Sequence, residues 1–288
     1  MKMKNCVLKL FLPLVAALFA TGCSGYSKLI KSKDPEKMYE AAINYFNQKK
    51  YQRTVQLLEE CAPFFSSTVR ADTIFYYTAM SYYKMGDFEA SGQLFDEFRR
   101  AFGNSTYLED AEYCYAMGFY YSSPGPDRDQ STTVQAMRAI DDYLGRYPNS
   151  QKEADLREKM VELEHKLHDK SYINARTYYK IGSYKSAVVA LKNAIDKYPE
   201  SKHREEMMYL ILRSQYLLSK DSFSHLQRDR FMKVLDYYYN FVSEYPASKY
   251  AKEAGKMHEE AKKFLEQYDK DHDSDNKNTN NTNGTEKE

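Results

Sequence analysis

With 288 residues and a formal net charge of +1, the chain is long enough for one elongated domain or a repeat array. It carries no global field that would gather nucleic acid. Only 8 Pro and 11 Gly occur, against 29% charged residues, a composition that suits helices.

The chain opens with Lys2 and Lys4, an apolar run from Leu10 to Ala20, and then Thr21-Gly22-Cys23. That order predicts a secretory signal over residues 1–22, too short to persist as a spanning helix. A cysteine directly after small residues makes it a lipoprotein signal, although Ala20 stands where leucine is usual. The Cys23 thiol takes a diacylglyceryl group, cleavage leaves Cys23 as the new N-terminus, and an N-acyl chain (palmitate) completes the anchor. Several chains hold a protein firmly where one would not. Residues 23–34 read as a lipidated tether. Cys6 leaves with the signal, so Cys61 and Cys114 remain, each inside an apolar helical pattern. They read as small buried thiols, with a disulfide between them as the alternative.

From residue 35 the sequence repeats. Tyr39, Tyr76 and Tyr113 are 37 residues apart, as are Ala42, Ala79 and Ala116. A period near that of tetratricopeptide repeats predicts stacked helix-turn-helix units. Within a unit, a small residue and an aromatic three later (Ala42/Tyr45, Ala79/Tyr82, Ala175/Tyr178) form the seam of the first helix. The second helix opens on Thr54, Ser91 or Ala187, with Leu58, Phe95 or Leu191 four later. Gly86 and Gly182 occupy turns where a positive φ is easily adopted. Units close alike, as in Tyr147-Pro-Asn-Ser150 and Tyr245-Pro-Ala-Ser248: proline stops one helix and serine caps the next. Ser150 with Glu153 fits a capping box.

Five units follow, over 35–66, 69–104, 106–149, 169–200 and 202–247, with longer loops near 122–132 and 219–230. The stretch 151–170 runs on into the fourth unit, and a helix over 249–268 caps the array. The expected fold is all-α: five tetratricopeptide repeats in a right-handed superhelix. Three repeats fall in an N-terminal half, 35–149, and two with the capping helix in a C-terminal half, 150–268. Residues 269–288 have almost no large apolar side chain and read as a disordered tail.

Positions three before and four after the small residue hold Tyr39/Phe46, Tyr76/Tyr83, Tyr113/Tyr120 and Tyr172/Tyr179. Each pair is two helical turns apart, so on one face. These eight rings are the candidate groove for an extended, aromatic or apolar peptide, since tyrosine offers apolar area with a polar tip. Alternatively they pack between neighbouring first helices and stiffen the array. No phosphate loop, GxSxG or metal-ligand spacing occurs. The sequence therefore reads as a binding scaffold with no catalytic residues, no metal and no cofactor beyond the lipid on Cys23.

Local stretches resemble the BamD family, the lipoproteins of the β-barrel assembly machinery. They include Asp127-Arg128-Asp129-Gln130, Tyr147-Pro-Asn-Ser-Gln151, Ala175-Arg-Thr-Tyr-Tyr179 and Ser248-Lys-Tyr250. The resemblance covers roughly residues 23 to 268. It implies a location on the periplasmic face of the outer membrane. It also implies docking of the C-terminal repeats on the POTRA domains of a BamA-like barrel protein, and reception of unfolded outer-membrane proteins by the N-terminal repeats. A pilotin-type lipoprotein that assists secretin or pilus assembly is the alternative.

Overall fold

The computed structural model describes residues 26–282, with side chains to residue 271. Among the described residues the fold is all-α. Residues 26–32 form α1. They are followed by α2 (Pro35–Asn47), α3 (Tyr51–Phe65), α4 (Ala71–Met85), α5 (Phe88–Ala101), α6 (Leu108–Ser122) and α7 (Ser131–Arg146). Next come α8 (Glu153–Lys180), α9 (Tyr184–Lys197), α10 (Arg204–Lys220), α11 (Ser224–Glu244) and α12 (Ala251–Thr282). The helix pairs α2/α3, α4/α5, α6/α7, α8/α9 and α10/α11 are the five expected units. The fold is an all-α repeat fold of the tetratricopeptide kind.

The seam forms as the small residues dictate. Ala42, Ala79, Ala116 and Ala175 are buried, and so are their neighbours across the seam, Thr54, Ser91 and Ala187. The helices approach closely enough for the Thr54 hydroxyl to donate to the Ala42 carbonyl at 3.3 Å. Leu58, Phe95 and Leu191 fill the space beside them with no exposed surface, each worth about 2 kcal/mol of transfer free energy. The aromatic three after the small residue does not always join the seam: Tyr178 is 43% exposed.

Turns within units use a left-handed residue. Gly86 has φ +80° and Gly182 φ +76°. Asp87 N–H reaches back to the Tyr82 carbonyl at 3.0 Å, and Ser183 N–H to that of Tyr178 at 2.9 Å, closing the helix ends in Schellman fashion. In the first unit the same position is Lys49, at φ +59°.

The chain divides into two compact units, and α8 contributes to both. One holds the described residues to Pro124 with Gln130–Leu163; the other holds Gly125–Asp129 and the chain from Glu164. The first contains three separate buried clusters, centred on Leu57 and Leu58, on Phe95 and Phe98, and on Ile140 and Tyr143. The second has one continuous cluster running from Tyr172 through Leu212 and Phe241 to Leu265. Loop residues 125–129 belong to this unit, where Lys170 Nζ donates to the Asp127 carbonyl at 3.1 Å.

Four local expectations change. The stretch read as a tether is helical from residue 26, and Tyr26, Leu29 and Ile30 pack on the first unit's cluster. The Tyr26 hydroxyl also donates to Gln56 at 2.6 Å. The loop expected over 219–230 is only the gap between Lys220 and Ser224. The helix α12 continues through residues 271–282, where composition pointed to disorder; adding residues to an existing helix avoids the cost of nucleation. Ser150 makes no capping box, because its Oγ accepts from Lys152 N–H at 3.2 Å rather than from Glu153. Cys61 and Cys114 are free and buried. Burial pushes their thiols up, to about 11 and about 12, which leaves them poor nucleophiles. The signal sequence, Cys23 and residues 283–288 lie outside the described residues.

Candidate functional site

The eight ladder aromatics are placed by the first helices, and the structure shows what holds each ring. Tyr76 and Tyr172 are buried, at 8% and 6% exposure, so these two are not available as contact residues for a ligand. The reason is a stacking rule that the sequence reading missed. The first ladder tyrosine of each unit lies against the residue that opens the next first helix. Tyr76 stacks on Tyr107 with ring centres 4.4 Å apart and planes at 15°. Tyr172 stacks on His203 at 3.9 Å and 9°. Tyr209 of the fifth unit stacks on Tyr250 at 4.2 Å and 7°. Where the opening residue is a cation, the ring takes a cation–π contact instead: Arg70 lies 4.9 Å from the Tyr39 centroid and Lys152 4.2 Å from that of Tyr113. Such contacts contribute about 0.5–1.5 kcal/mol each.

The phenol tips are bound as well. Tyr76 donates to Asp110, Tyr120 to Glu162 and Tyr216 to Glu260, and Tyr113 reaches Asp155 at 3.4 Å. Each bond runs from one first helix to the next helix in that register. Burial first, then the neighbouring carboxylate, pushes the Tyr76 hydroxyl far above its ordinary value. Burial and Asp155 do the same at Tyr113, to about 12. Burial alone would raise the Asp110 carboxyl, but hydrogen bonds from Lys152 and Tyr76 outweigh it and hold it below the ordinary carboxylate value.

The serines that end each unit complete the junction. Tyr107, Lys152, His203 and Tyr250 N–H groups donate to Ser105, Ser150, Ser201 and Ser248 at 3.0–3.3 Å, orienting the stacking residue. Three of these serines donate a hydrogen bond to the preceding first helix: Ser105 to Asp72, Ser150 to Glu109 and Ser248 to Glu205, at 2.6–2.7 Å. At the fourth junction Asp169 instead accepts from Lys202 at 3.0 Å and His203 at 2.8 Å. These carboxylates are not among the site residues expected from the sequence. Their signal was present in a fixed offset: Asp72, Glu109 and Glu205 each stand four residues after the hydroxyl residue that precedes their helix, Thr68, Ser105 and Ser201.

The remaining ladder rings, Tyr39, Phe46, Tyr83, Tyr113, Tyr120 and Tyr179, are half-buried. Phe46 meets Tyr77 edge-on at 4.7 Å, and Tyr83 meets Phe88 at 5.5 Å. The structure thus supports the packing role of the ladder at every rung and leaves six rings with an open face. Among the described residues no cluster of His, Cys, Asp and Glu could hold a metal ion, and no helix is long and apolar enough to cross a membrane.

Repeated helix pairs that carry side-chain latches between units, with partly open aromatic faces, define a helical-repeat scaffold protein. The profile of the YfiO outer membrane lipoprotein family matches residues 31–189 and again 169–271, and the chain belongs to that family. Two relatives are each named outer membrane protein assembly factor BamD. The protein of Caulobacter vibrioides is 30% identical over 86 residues, covering 30% of this chain and 28% of its own length. That of Neisseria gonorrhoeae is 32% identical over 85 residues, covering 30% of this chain and 32% of its own. The chain thus spans less than a third of the length of these curated relatives. A solved complex of the TPR2AB domain of yeast Sti1 with pHSP90 aligns at a TM-score of 0.37 and 10% identity, over 79% of this chain and 98% of that one. That score is too low to add weight.

Proposed function

We propose that the chain is a lipid-anchored, non-enzymatic scaffold of outer-membrane β-barrel assembly, held on the periplasmic face of the outer membrane through Cys23. The observation that carries this reading is the family match across residues 31–271, joined to two relatives named as assembly factors. In this reading the C-terminal unit docks on the POTRA domains of a BamA-like barrel protein. The N-terminal unit offers the open faces of Tyr39, Phe46, Tyr83, Tyr113 and Tyr120 to unfolded outer-membrane proteins. An aromatic side chain of a client strand gains contact area there at low entropy cost.

Depletion of the chain tests the role. Heat-modifiable, folded barrel proteins should disappear from the outer membrane while lipoproteins and inner-membrane proteins stay. Unchanged barrel levels would refute it. The client face has its own test: alanine at Tyr39, Phe46 and Tyr120 should weaken a barrel-strand peptide ending in an aromatic by tenfold or more, in a variant that still melts cooperatively.

A further inference from the structure

The helix α12 departs from the register that α4, α6 and α10 keep. Two residues after the stacking residue come Glu109 in α6 and Glu205 in α10, and each accepts from the next unit's serine. Six after it come Tyr113 and Tyr209, which meet the next helix through Lys152 and Tyr250. Counted the same way from Tyr250, α12 places Lys252 and Lys256 there. The surface that in α4, α6 and α10 hands a carboxylate and a phenol to its neighbour carries two ammonium groups in α12 instead.

These lysines rim a groove of about 600 Å³ between α10 and α12. Its floor is apolar, formed by the buried Tyr216 and Met257 with Leu217 beside them. Lys249 extends the rim, and Arg213 stands in the wall. The two carboxylates of the groove are already engaged. Glu253 accepts from Arg213 at 2.6 Å, and Glu260 accepts from the Tyr216 hydroxyl. Lys249 lies 4.9 Å from the Tyr250 ring centre. None of the three exposed lysines has a carboxylate partner among the described residues. Four cations therefore face two occupied carboxylates over an apolar floor.

We propose that this groove binds an extended acidic segment of a partner protein, whose carboxylates take the place of those that inner units supply. The spacing fits. Lys252 and Lys256 are about 6 Å apart along the helix axis. Side chains on one face of an extended strand recur every second residue, about 6.7 Å. Acidic residues at alternate positions thus meet both lysines, and an apolar side chain of the segment lies over Tyr216 and Met257. Carboxylate–ammonium contacts of this kind are strengthened by the low-dielectric floor. The contact is independent of the assembly role, because it is read with the chain and a synthetic peptide alone.

The test is a fluorescence-anisotropy titration of the full chain in detergent. The probe is a labelled peptide that alternates Glu with Leu and Ser, and its control carries Gln for every Glu. The acidic peptide should bind at least tenfold more tightly than the Gln peptide. Lys252→Glu with Lys256→Glu should remove that preference, whereas Lys262→Glu with Lys263→Glu, an equal charge change further along α12, should stay within twofold of the parent. Should the first pair fail to fold by circular dichroism, Lys252→Gln with Lys256→Gln carries the same expectation. Equal binding of the Gln peptide, or equal loss in both charge-reversed pairs, would overturn the proposal. So would sedimentation with phosphatidylglycerol vesicles that depends on Lys252 and Lys256 while the peptide does not bind, which would give the surface to lipid.

Discussion

The two compact units are built on one junction rule but lean on it differently. In the second, α8 to α12 share a single buried cluster from Tyr172 to Leu265, and the stacks of Tyr172 on His203 and Tyr209 on Tyr250 sit at its edge. In the first, three smaller clusters are joined by polar latches such as Tyr76–Asp110–Lys152. The contrast teaches that a repeat array can be held either by continuous apolar burial or by part-buried hydrogen bonds between small cores. The second kind opens one junction at a time.

The largest expected effect breaks the continuous core. Phe241 is fully buried on α11, and Phe241→Ala should cost about 3–5 kcal/mol. Hydrogen exchange should show protection falling across α9 to α12 together. In the first unit, Asp110→Ala leaves the buried Tyr76 hydroxyl and Lys152 without their acceptor. A loss of about 2 kcal/mol is expected, with exchange rising at the α4–α6 junction while the α2/α3 cluster stays protected. Loss of protection across the whole first unit would contradict the separate-core description.

The pH dependence sharpens the same contrast. Asp110 and Glu109 in the first unit are held below ordinary carboxylate values. At Asp110 burial opposes the shift and the bonds from Lys152 and Tyr76 produce it; at Glu109 the bonds from Ser150 and Tyr143 lead. Asp169 in the second unit is also lowered, against burial, by Lys202 and His203. A depressed folded value means that the stabilisation is fully present above the unfolded carboxylate value, about 4. It is lost as pH falls through the folded value. Melting curves taken from pH 6 downward should therefore show the first unit weakening in acid, and Asp110→Asn should flatten that dependence.

The smallest effects concern the turns. Gly86→Ala forces a Cβ into φ +80° and should destabilise by about 1 kcal/mol. Lys49→Gly relieves the same conformation at φ +59° and should stabilise by somewhat less, about 0.5 kcal/mol. Opposite signs at these two positions, read from denaturant midpoints, would confirm that the turns are equivalent.

Much of the fold was legible because the repeat itself is a physical signal. Ala42, Ala79 and Ala116 recur where two helices must touch, and the structure buries all three. The serine at each unit's end was legible as the mark of a helix start but not in its use: the N-caps of α6 and α10 are Tyr107 and His203, without a side-chain cap bond, and the serines accept from the N–H groups of those residues. The use of the ladder was only half legible. Helical spacing puts Tyr76 and Tyr83 on one face, but it does not say whether that face meets a ligand or the next helix. That depends on how closely successive first helices approach, and Tyr107 had to be seen beneath Tyr76 to decide it. The helix from residue 26 was missed because a short segment shows its amphipathic face only when Leu29 and Ile30 have a cluster to cover. The gap after Lys220 was overestimated because no proline marks where α11 begins.

The claim at the centre is that this repeat scaffold serves barrel assembly, and its most direct test is the partner captured by the tagged chain from gently solubilised membranes. The account predicts that a BamA-like barrel protein with POTRA domains dominates the captured proteins by mass spectrometry. Capture of a secretin in its place, with no barrel-assembly protein recovered, would contradict it.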